Sequence, residues 1–172
     1  MDGLDFISPV GIATVNPVWE FAGTPDLNGD GKPDFLRPHK TTGELAAWYI
    51  DGVIMIFSVE IAVVDPAWEL VGTPDLNDDG KAYFLWRNEL RGELTGWFMD
   101  GVNMIWSVEI AMADPVWELV RTPDLNGDEK PDFLWRKKGT GEVAAWYMDG
   151  ANVMATVGIV MVDPIWEIVG PR

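Results

Sequence analysis

Acidic and amide side chains alternate with other residues in three short segments of this sequence, as they do in metal-binding loops. The first segment runs from Asp26 to Asp34 and has oxygen-bearing side chains at its positions 1, 3, 5 and 9. A tight loop turns alternate side chains to the same side, so these oxygens can surround one hard cation. Gly31, at position 6, permits the sharp turn that such a loop needs. The segment therefore predicts a calcium site.

Each of the three segments offers the same kind of ligand set, completed by the backbone carbonyl of a lysine at position 7. In the first loop the predicted ligands are Asp26, Asn28, Asp30, Lys32 and Asp34. In the second they are Asp75, Asn77, Asp79 and Lys81, and in the third Asp124, Asn126, Asp128, Lys130 and Asp132. Oxygen donors at this spacing make Ca²⁺ the predicted cofactor. The alternative is an acidic turn without metal, because Asp, Asn and Gly are common in turns.

The second and third loops depart from the first in ways that predict weaker binding. Position 9 of the second loop is Tyr83, where the other two loops have a carboxylate, so this site is expected to bind most weakly. In the third loop Glu129 stands where the others have glycine, and we expect backbone strain of about 1 kcal/mol or more there. An EF-hand is not predicted, because position 12 of the first loop is Arg37 and no helical pattern flanks it.

The three loops belong to an internal repeat with a period of 49 residues. Two series of tryptophans have this spacing, and each member of the first series is followed by Glu. The first series is Trp19, Trp68, Trp117 and Trp166, and the second is Trp48, Trp97 and Trp146. A period of about 20 to 50 residues is typical of solenoids, propellers and arrays. The repeat therefore indicates one architecture for the whole chain.

Turn residues divide each repeat unit into four short segments with the composition of β-strands. In the middle unit the predicted strands are 68–71, 84–87, 93–99 and 102–110. Asp-Gly pairs join the third strand to the fourth and predict type I′ turns at Asp51-Gly52, Asp100-Gly101 and Asp149-Gly150. The third strand is apolar on both faces, whereas the fourth is half polar and is expected at an outer edge. In the first unit Pro38 predicts a shortened second strand.

These features predict an all-β fold, a β-propeller of four-stranded antiparallel blades; a parallel β-helix is the second choice. The predicted boundaries are an outer-strand remnant at 1–18, blades at 19–67, 68–116 and 117–165, and the first strand of a further blade at 166–172. A propeller closes with about four to eight blades, so three blades leave unpaired edges.

The predicted partner at those edges is a second copy of the chain, and a dimer is favoured. One chain has 172 residues, so two chains hold 344, which corresponds to about seven units of 49 residues. Six blades with augmented joints are the alternative, and so is a fragment of a longer propeller.

The loop motif and the Leu-Trp-Arg that follows it in two units resemble the FG-GAP/VCBS repeat family over essentially the whole chain. These tripeptides are Leu85-Trp86-Arg87 and Leu134-Trp135-Arg136. The resemblance implies a β-propeller, commonly seven-bladed, with calcium in the loop between the two inner strands. It implies binding and not catalysis, as in integrin heads, fungal lectins and bacterial surface proteins. It also suggests an extracellular or cell-surface location, although no signal-peptide pattern is visible.

The composition argues against several classes of function. The chain has 28 acidic and 12 basic residues, and its net charge of −16 would repel nucleic acid and an anionic membrane surface. No apolar run reaches the roughly 18 residues that a membrane-spanning helix needs, and no cysteine is present. No nucleophile with a base and no paired-carboxylate cleft is recognisable, so an enzyme is not predicted. His39, the single histidine, is expected in a turn or at the surface.

The tryptophans are the residues best suited to an organic ligand, because exposed indole rings stack on sugars. Lectins that resemble this family bind sugars between blades, although the recurrent tryptophans are expected mainly to fill the spaces between sheets. The candidate ligand residues are Trp86, Arg87, Trp135 and Arg136, which combine a flat ring with guanidinium donors. Three functions stay open: a glycan-binding or adhesive module, a purely structural or engineered repeat protein with no ligand beyond metal, and an accessory domain of an enzyme.

Overall fold

A computed structural model describes residue 11 and residues 16–163 of the chain. Within this part the protein is all-β and contains eleven strands and no α-helix. Consequently, none of the described residues forms a helix that could cross a membrane. The predicted terminal strand segments, around 6–14 and 166–169, lie outside the described residues apart from residue 11.

The strands form three antiparallel sheets, one in each repeat unit. The first sheet contains β1 (Phe35–Pro38), β2 (Glu44–Asp51) and β3 (Ile54–Val63). The second contains β4 (Trp68–Gly72), β5 (Tyr83–Asn88), β6 (Glu93–Asp100) and β7 (Asn103–Met112). The third contains β8 (Trp117–Arg121), β9 (Phe133–Lys137), β10 (Glu142–Asp149) and β11 (Asn152–Met161). Consecutive strands are neighbours in every sheet, which confirms the predicted meander.

The first unit has only three regular strands. Its first segment pairs with the region of β1 through isolated bridges, Trp19 to His39 and Gly23 to Leu36. β1 has four residues, compared with six in β5, and it ends at Pro38. Proline lacks the N–H that a ladder needs, so the predicted shortening of this strand is confirmed.

The Asp-Gly hairpins are present, but their predicted turn type was wrong. Asp100 pairs with Asn103, which makes Gly101 and Val102 the two loop residues. Of these two, only Gly101 has a positive φ, +61°. A type I′ turn needs positive φ at both loop residues, whereas a type II′ turn needs it only at the first. The hairpin fits type II′, because the aspartate is the last paired residue of the strand and lies outside the loop.

The fourth strand of each unit lies at a sheet edge, as predicted. Its expected half-buried face is present only in its second half. In β3, Val59 and Ile61 pack against the second sheet, whereas Met55 and Phe57 are exposed. The first half of the strand adjoins the hairpin and stays largely exposed, although the Phe57 ring stacks on that of the core residue Tyr49, with centroids 4.4 Å apart.

Two hydrophobic cores lie between the three sheets, so the sheets are stacked face to face. The first core joins Leu36, Leu45, Ala47 and Tyr49 of the first unit to Leu70, Phe84, Trp86 and Met99 of the second. The second core joins Leu76, Tyr83, Leu85 and Leu94 of the second unit to Phe133, Trp135 and Met148 of the third. Alternate residues of β5 enter the two cores, as expected for a strand covered on both faces. No sheet closes on itself among the described residues.

The inner ends of the three units meet around one cavity of about 480 Å³. It is lined by the same dipeptide from each unit: Thr24-Pro25, Thr73-Pro74 and Thr122-Pro123. The first strands β4 and β8 are in contact with each other, and so are the fourth strands β7 and β11. The Thr-Pro segments that follow the first strands therefore lie close together at one side of the stacked sheets.

Candidate metal loops and ligand groove

The first aspartate of each loop accepts hydrogen bonds from the backbone of its own loop. In the first loop, Asp26 Oδ1 accepts from the Gly29 N–H at 2.7 Å and Oδ2 from the Gly31 N–H at 2.7 Å. These bonds, that from Gly31 first, hold the pKa of the Asp26 carboxyl below its usual value. Asp124 accepts from the Gly127 N–H at 2.7 Å in the third loop, and its pKa is also lowered. Both carboxylates are thus favoured in the charged form.

The second and third oxygen-bearing side chains of each loop lie next to each other. Asn28 Nδ2 donates to Asp30 Oδ2 at 3.3 Å, and the Lys32 N–H donates to Asp30 Oδ1 at 2.9 Å. The same contacts recur in the other loops, with Asn–Asp distances of 3.0 and 3.1 Å. These side chains offer oxygen atoms, the donors that a hard cation prefers. No three Asp, Glu or His side chains form a ready-made metal site in the described residues, so the amide and carbonyl oxygens are needed.

The carboxylate at the ninth position is directed into the protein. Asp34 is fully buried and accepts from the N–H groups of Leu27 at 3.0 Å and Ile50 at 3.1 Å. Ile50 follows a register shift between β2 and β3. Asp132 is bonded to Leu125 and Met148 in the same way, at 3.0 and 2.9 Å. These two predicted ligands therefore link their loops to β2 and β10, a structural role that the motif did not indicate.

In the second unit Tyr83 replaces this carboxylate. Its ring is buried against Phe98, with ring centroids 3.7 Å apart, and its hydroxyl has no hydrogen-bond partner in the described structure. Burial raises the pKa of Tyr83 well above its usual value. These differences are consistent with a weaker second site.

Two loop positions have a backbone conformation that favours glycine. Glu129 has φ +67°, which confirms the expected strain in the third loop. Asp78 has φ +58°, and this position was not singled out from the sequence. The sequence did contain a signal for this backbone conformation, because the homologous residues in the other two loops are glycines, Gly29 and Gly127. Aspartate tolerates this conformation better than most residues, so Glu129 is the more strained of the two.

An ion pair that sequence reasoning missed recurs in every unit. Lys32 Nζ lies 2.8 Å from Asp51 Oδ1, and Lys81 Nζ lies 2.7 Å from Asp100 Oδ1. Lys130 and Asp149 form the third pair. The pair joins the metal loop to the hairpin of the same sheet, and both partners recur at the 49-residue spacing. All these side chains are exposed, so the pairs are expected to orient the lysine more than to stabilise the fold.

The candidate ligand residues lie within β5 and β9 and are mainly buried. Trp86, Arg87 and Trp135 are only 2%, 1% and 1% exposed. Trp86 packs against Trp97 with ring centroids 5.1 Å apart, and Arg87 donates to Glu89 Oε1 at 2.7 Å. Arg136 is partly buried. The interpretation of these rings as a sugar platform needs correction, because alternate residues of a doubly covered strand point into the space between sheets.

A groove on the second sheet is more accessible. It has a volume of about 690 Å³ and is lined by Trp68, Glu93, Thr95, Ser107 and Glu109, among others. Thr95 and Glu109 are opposite each other in the β6–β7 register, so both lie on one face. Thr95 is replaced by alanine at the homologous positions 46 and 144. An indole beside hydroxyl and carboxylate groups can bind a ligand rich in hydroxyl groups.

The structure also brings together two carboxyl groups that the sequence did not pair. Burial raises the pKa of Glu69, and the neighbouring charge of Glu89 raises it further. Glu89 accepts from Arg87 at 2.7 Å and from Lys138 of the third unit at 3.2 Å. It stands where the other units have lysine, so the second unit places like charges side by side. His39 stays in a turn, as expected, with its Nδ1 3.2 Å from the Thr42 N–H.

The chain was compared with models of protein families and with curated protein sequences. No family model matches it, and no curated protein matches it. The FG-GAP/VCBS resemblance therefore stays a prediction that depends on the loop motif and on the repeat.

Proposed function

We propose that this chain is a non-enzymatic, calcium-binding module of the β-propeller type that serves as a binding and assembly scaffold. The observation that carries the proposal is the stacking of three homologous sheets, each with the same aspartate loop beside its second strand. Antiparallel four-stranded sheets arranged around a central channel are the units of a propeller. The shared inner cavity lined by Thr-Pro pairs supports this arrangement.

The proposed calcium ligands are the three exposed side chains of each loop and the lysine carbonyl. In the first loop these are Asp26, Asn28, Asp30 and the Lys32 carbonyl, with Asp34 holding the loop to the sheet from inside. A bound cation would neutralise carboxylates in a chain whose net charge is −16. The first and third loops should bind more tightly than the second, because Tyr83 replaces the ninth-position carboxylate that holds the other two loops to their sheets.

Calorimetric titration of metal-free protein with CaCl₂, together with thermal unfolding, tests the calcium proposal. An ion that binds only the folded loops stabilises the protein by about 2.7 kcal/mol per site at a hundredfold excess over Kd. Asp26→Ala should remove one site, whereas Glu60→Gln, which removes a charge outside the loops, should leave the number of sites unchanged. If addition of CaCl₂ released or absorbed no heat and chelator left the melting temperature unchanged, calcium binding would be refuted. The alternative function, a purely structural repeat protein, would then remain.

A second candidate function is glycan binding in the groove of the second sheet, and the polar set around Trp68 favours it. Thr95→Ala introduces the residue that the other two units have, so it should preserve the fold while weakening binding on a glycan array. Thr140→Ala, at an exposed turn of the third unit that does not line this groove, is the matched control. An array that stays silent for the unmodified protein would exclude this candidate.

A further inference from the structure

We propose that the uncovered loop and apolar face of the third sheet dock on the uncovered hairpin end of the first sheet of a second copy, so that two chains form a ring of six sheets. This inference rests on the proposed propeller-type function and specifies its partner. Its basis is a set of contacts that occur twice inside the chain and whose two halves are both exposed at the chain's ends.

The same loop-to-hairpin contact joins successive units. A Cβ atom placed on Gly101 would lie 2.8 Å from the carbonyl oxygen of Leu27 in the preceding unit. One placed on Gly150 would lie 3.5 Å from the carbonyl oxygen of Leu76. In both cases the metal loop of one unit lies against the hairpin turn of the next. The contact therefore belongs to the repeat and not to one pair of residues.

Each half of this contact lacks a neighbour at one end of the described structure. Leu125, the homologue of Leu27 and Leu76, is 38% exposed, compared with 5% and 2% for those two. At the other end, a Cβ atom on Gly52 would meet no atom within 4 Å. Val53, the second residue of that hairpin loop, is 48% exposed. The third unit thus presents an uncovered loop, and the first unit presents an uncovered hairpin.

The sheet faces show the same difference between internal and terminal units. Val59 and Ile61 of β3 pack against the second sheet, and Ile110 of β7 packs against the third. Their homologues in β11, Val157 and Ile159, are 40% and 52% exposed. An apolar face that is covered twice inside the chain is thus uncovered in the third unit.

The receiving face would be that of the first sheet. In the second sheet the corresponding face is made by Phe84, Trp86 and Trp97, which pack toward the first sheet. In the first sheet, Arg37 occupies the position of Trp86. It is only 4% exposed, and its guanidinium lies 4.0 Å from the Trp48 ring centroid and 5.3 and 5.4 Å from those of Trp19 and Phe21. A guanidinium stacked on indole is flat, like the paired indoles it replaces. The surface on this side of the first unit is therefore aromatic, since Phe21, one of the rings beside Arg37, is 52% exposed.

A second copy is the occupant because the uncovered loop of the third unit and the uncovered hairpin of the first are the two halves of a contact already made twice inside the chain. Head-to-tail contacts either close into a ring or continue into a filament. Two copies supply six sheets, within the range of about four to eight in which propellers close. The junction between copies would differ from the internal ones at Arg37 and also at Arg121, which stands where Gly23 and Gly72 stand.

Cysteine cross-linking tests the proposed junction directly, because the chain contains no cysteine of its own. The double variant Val53→Cys/Leu125→Cys places thiols on the two uncovered halves of the contact. A short bis-maleimide should convert it mainly to covalent dimers. The matched control is Leu27→Cys/Val102→Cys, which places thiols at the homologous internal contact and should cross-link within one chain, without dimers.

Sedimentation equilibrium of surface variants provides the second measurement. Ile159→Lys should weaken the dimer at least tenfold, whereas Met161→Lys should not. Met161 is the matched control because it is 69% exposed and its homologue Met112, inside the array, is 70% exposed. Folded monomer at high concentration, or a ladder of cross-linked multimers beyond the dimer, would overturn the two-chain ring.

Both experiments are run in CaCl₂ and in chelator, which separates the two proposals. A dimer that persists in protein shown to bind no calcium would remove the metal from the proposed function and keep the junction. Calcium binding by a protein that stays monomeric would keep the metal in the proposed function and overturn the junction.

Discussion

Replacing Asp34 by alanine should destabilise the protein strongly, even without metal. Its fully buried carboxylate accepts from the N–H groups of Leu27 and Ile50, at 3.0 and 3.1 Å. Both residues are almost completely buried, so water cannot replace the lost acceptor. Leaving a buried N–H unsatisfied costs about 1–3 kcal/mol, and two such groups give an expected loss of about 2–6 kcal/mol.

The homologous position in the second unit provides the control for this prediction. Tyr83→Phe removes a buried hydroxyl that has no partner in the described structure, so the free energy of unfolding should stay the same or rise by up to about 1 kcal/mol. Urea unfolding in chelator, followed by tryptophan fluorescence, measures both variants without a contribution from calcium. A loss below about 0.5 kcal/mol for Asp34→Ala, or an equal loss for Tyr83→Phe, would refute the assigned roles.

Three further predictions concern charge and backbone strain. Because the pKa of Glu69 is raised from 4.5 in the folded protein, its ionisation opposes folding as pH increases through that range. Glu69→Gln should therefore raise the free energy of unfolding at pH 8 by roughly 0.5 kcal/mol, a small value because the group is partly exposed. At pH 4 it should have no such effect. Equal gains at pH 4 and pH 8, measured by urea unfolding, would contradict this. Glu129→Gly should stabilise the third loop by about 1 kcal/mol because φ is +67° there, whereas Glu129→Ala should not, as thermal unfolding would reveal. Lys81→Met should leave the melting temperature unchanged, because the Lys81–Asp100 pair is exposed; a clear decrease that high salt abolishes would contradict that expectation.

Much of the architecture was predictable because every strand signal recurs three times. The predicted strand 93–99 is observed as β6 (Glu93–Asp100), and 68–71 as β4 (Trp68–Gly72). Turn residues bound both segments in the sequence. Because the same boundaries recur at the same place in each unit, they are not accidental. The turn type was less predictable, since it depends on whether the aspartate of Asp100-Gly101 pairs within the strand.

The candidate sites were predictable in position but only partly in role. The alternating oxygens of the first loop are visible in the sequence, yet nothing local shows that Asp34 turns inward to reach Ile50, 16 residues later. Trp86 and Arg87 looked suited to a ligand because an aromatic ring and a guanidinium can bind one at a surface. Their burial depends on the neighbouring sheets, which a local motif cannot report.

Each hydrophobic core of this chain is built from only two successive units. A gene that gained or lost one segment encoding 49 residues would therefore create or remove one core without altering the composition of the others. In the proposed ring, such a change would alter the number of sheets that each chain contributes, while each unit kept its own sequence. For that ring, variation in repeat number would be a route by which its size changes in single steps.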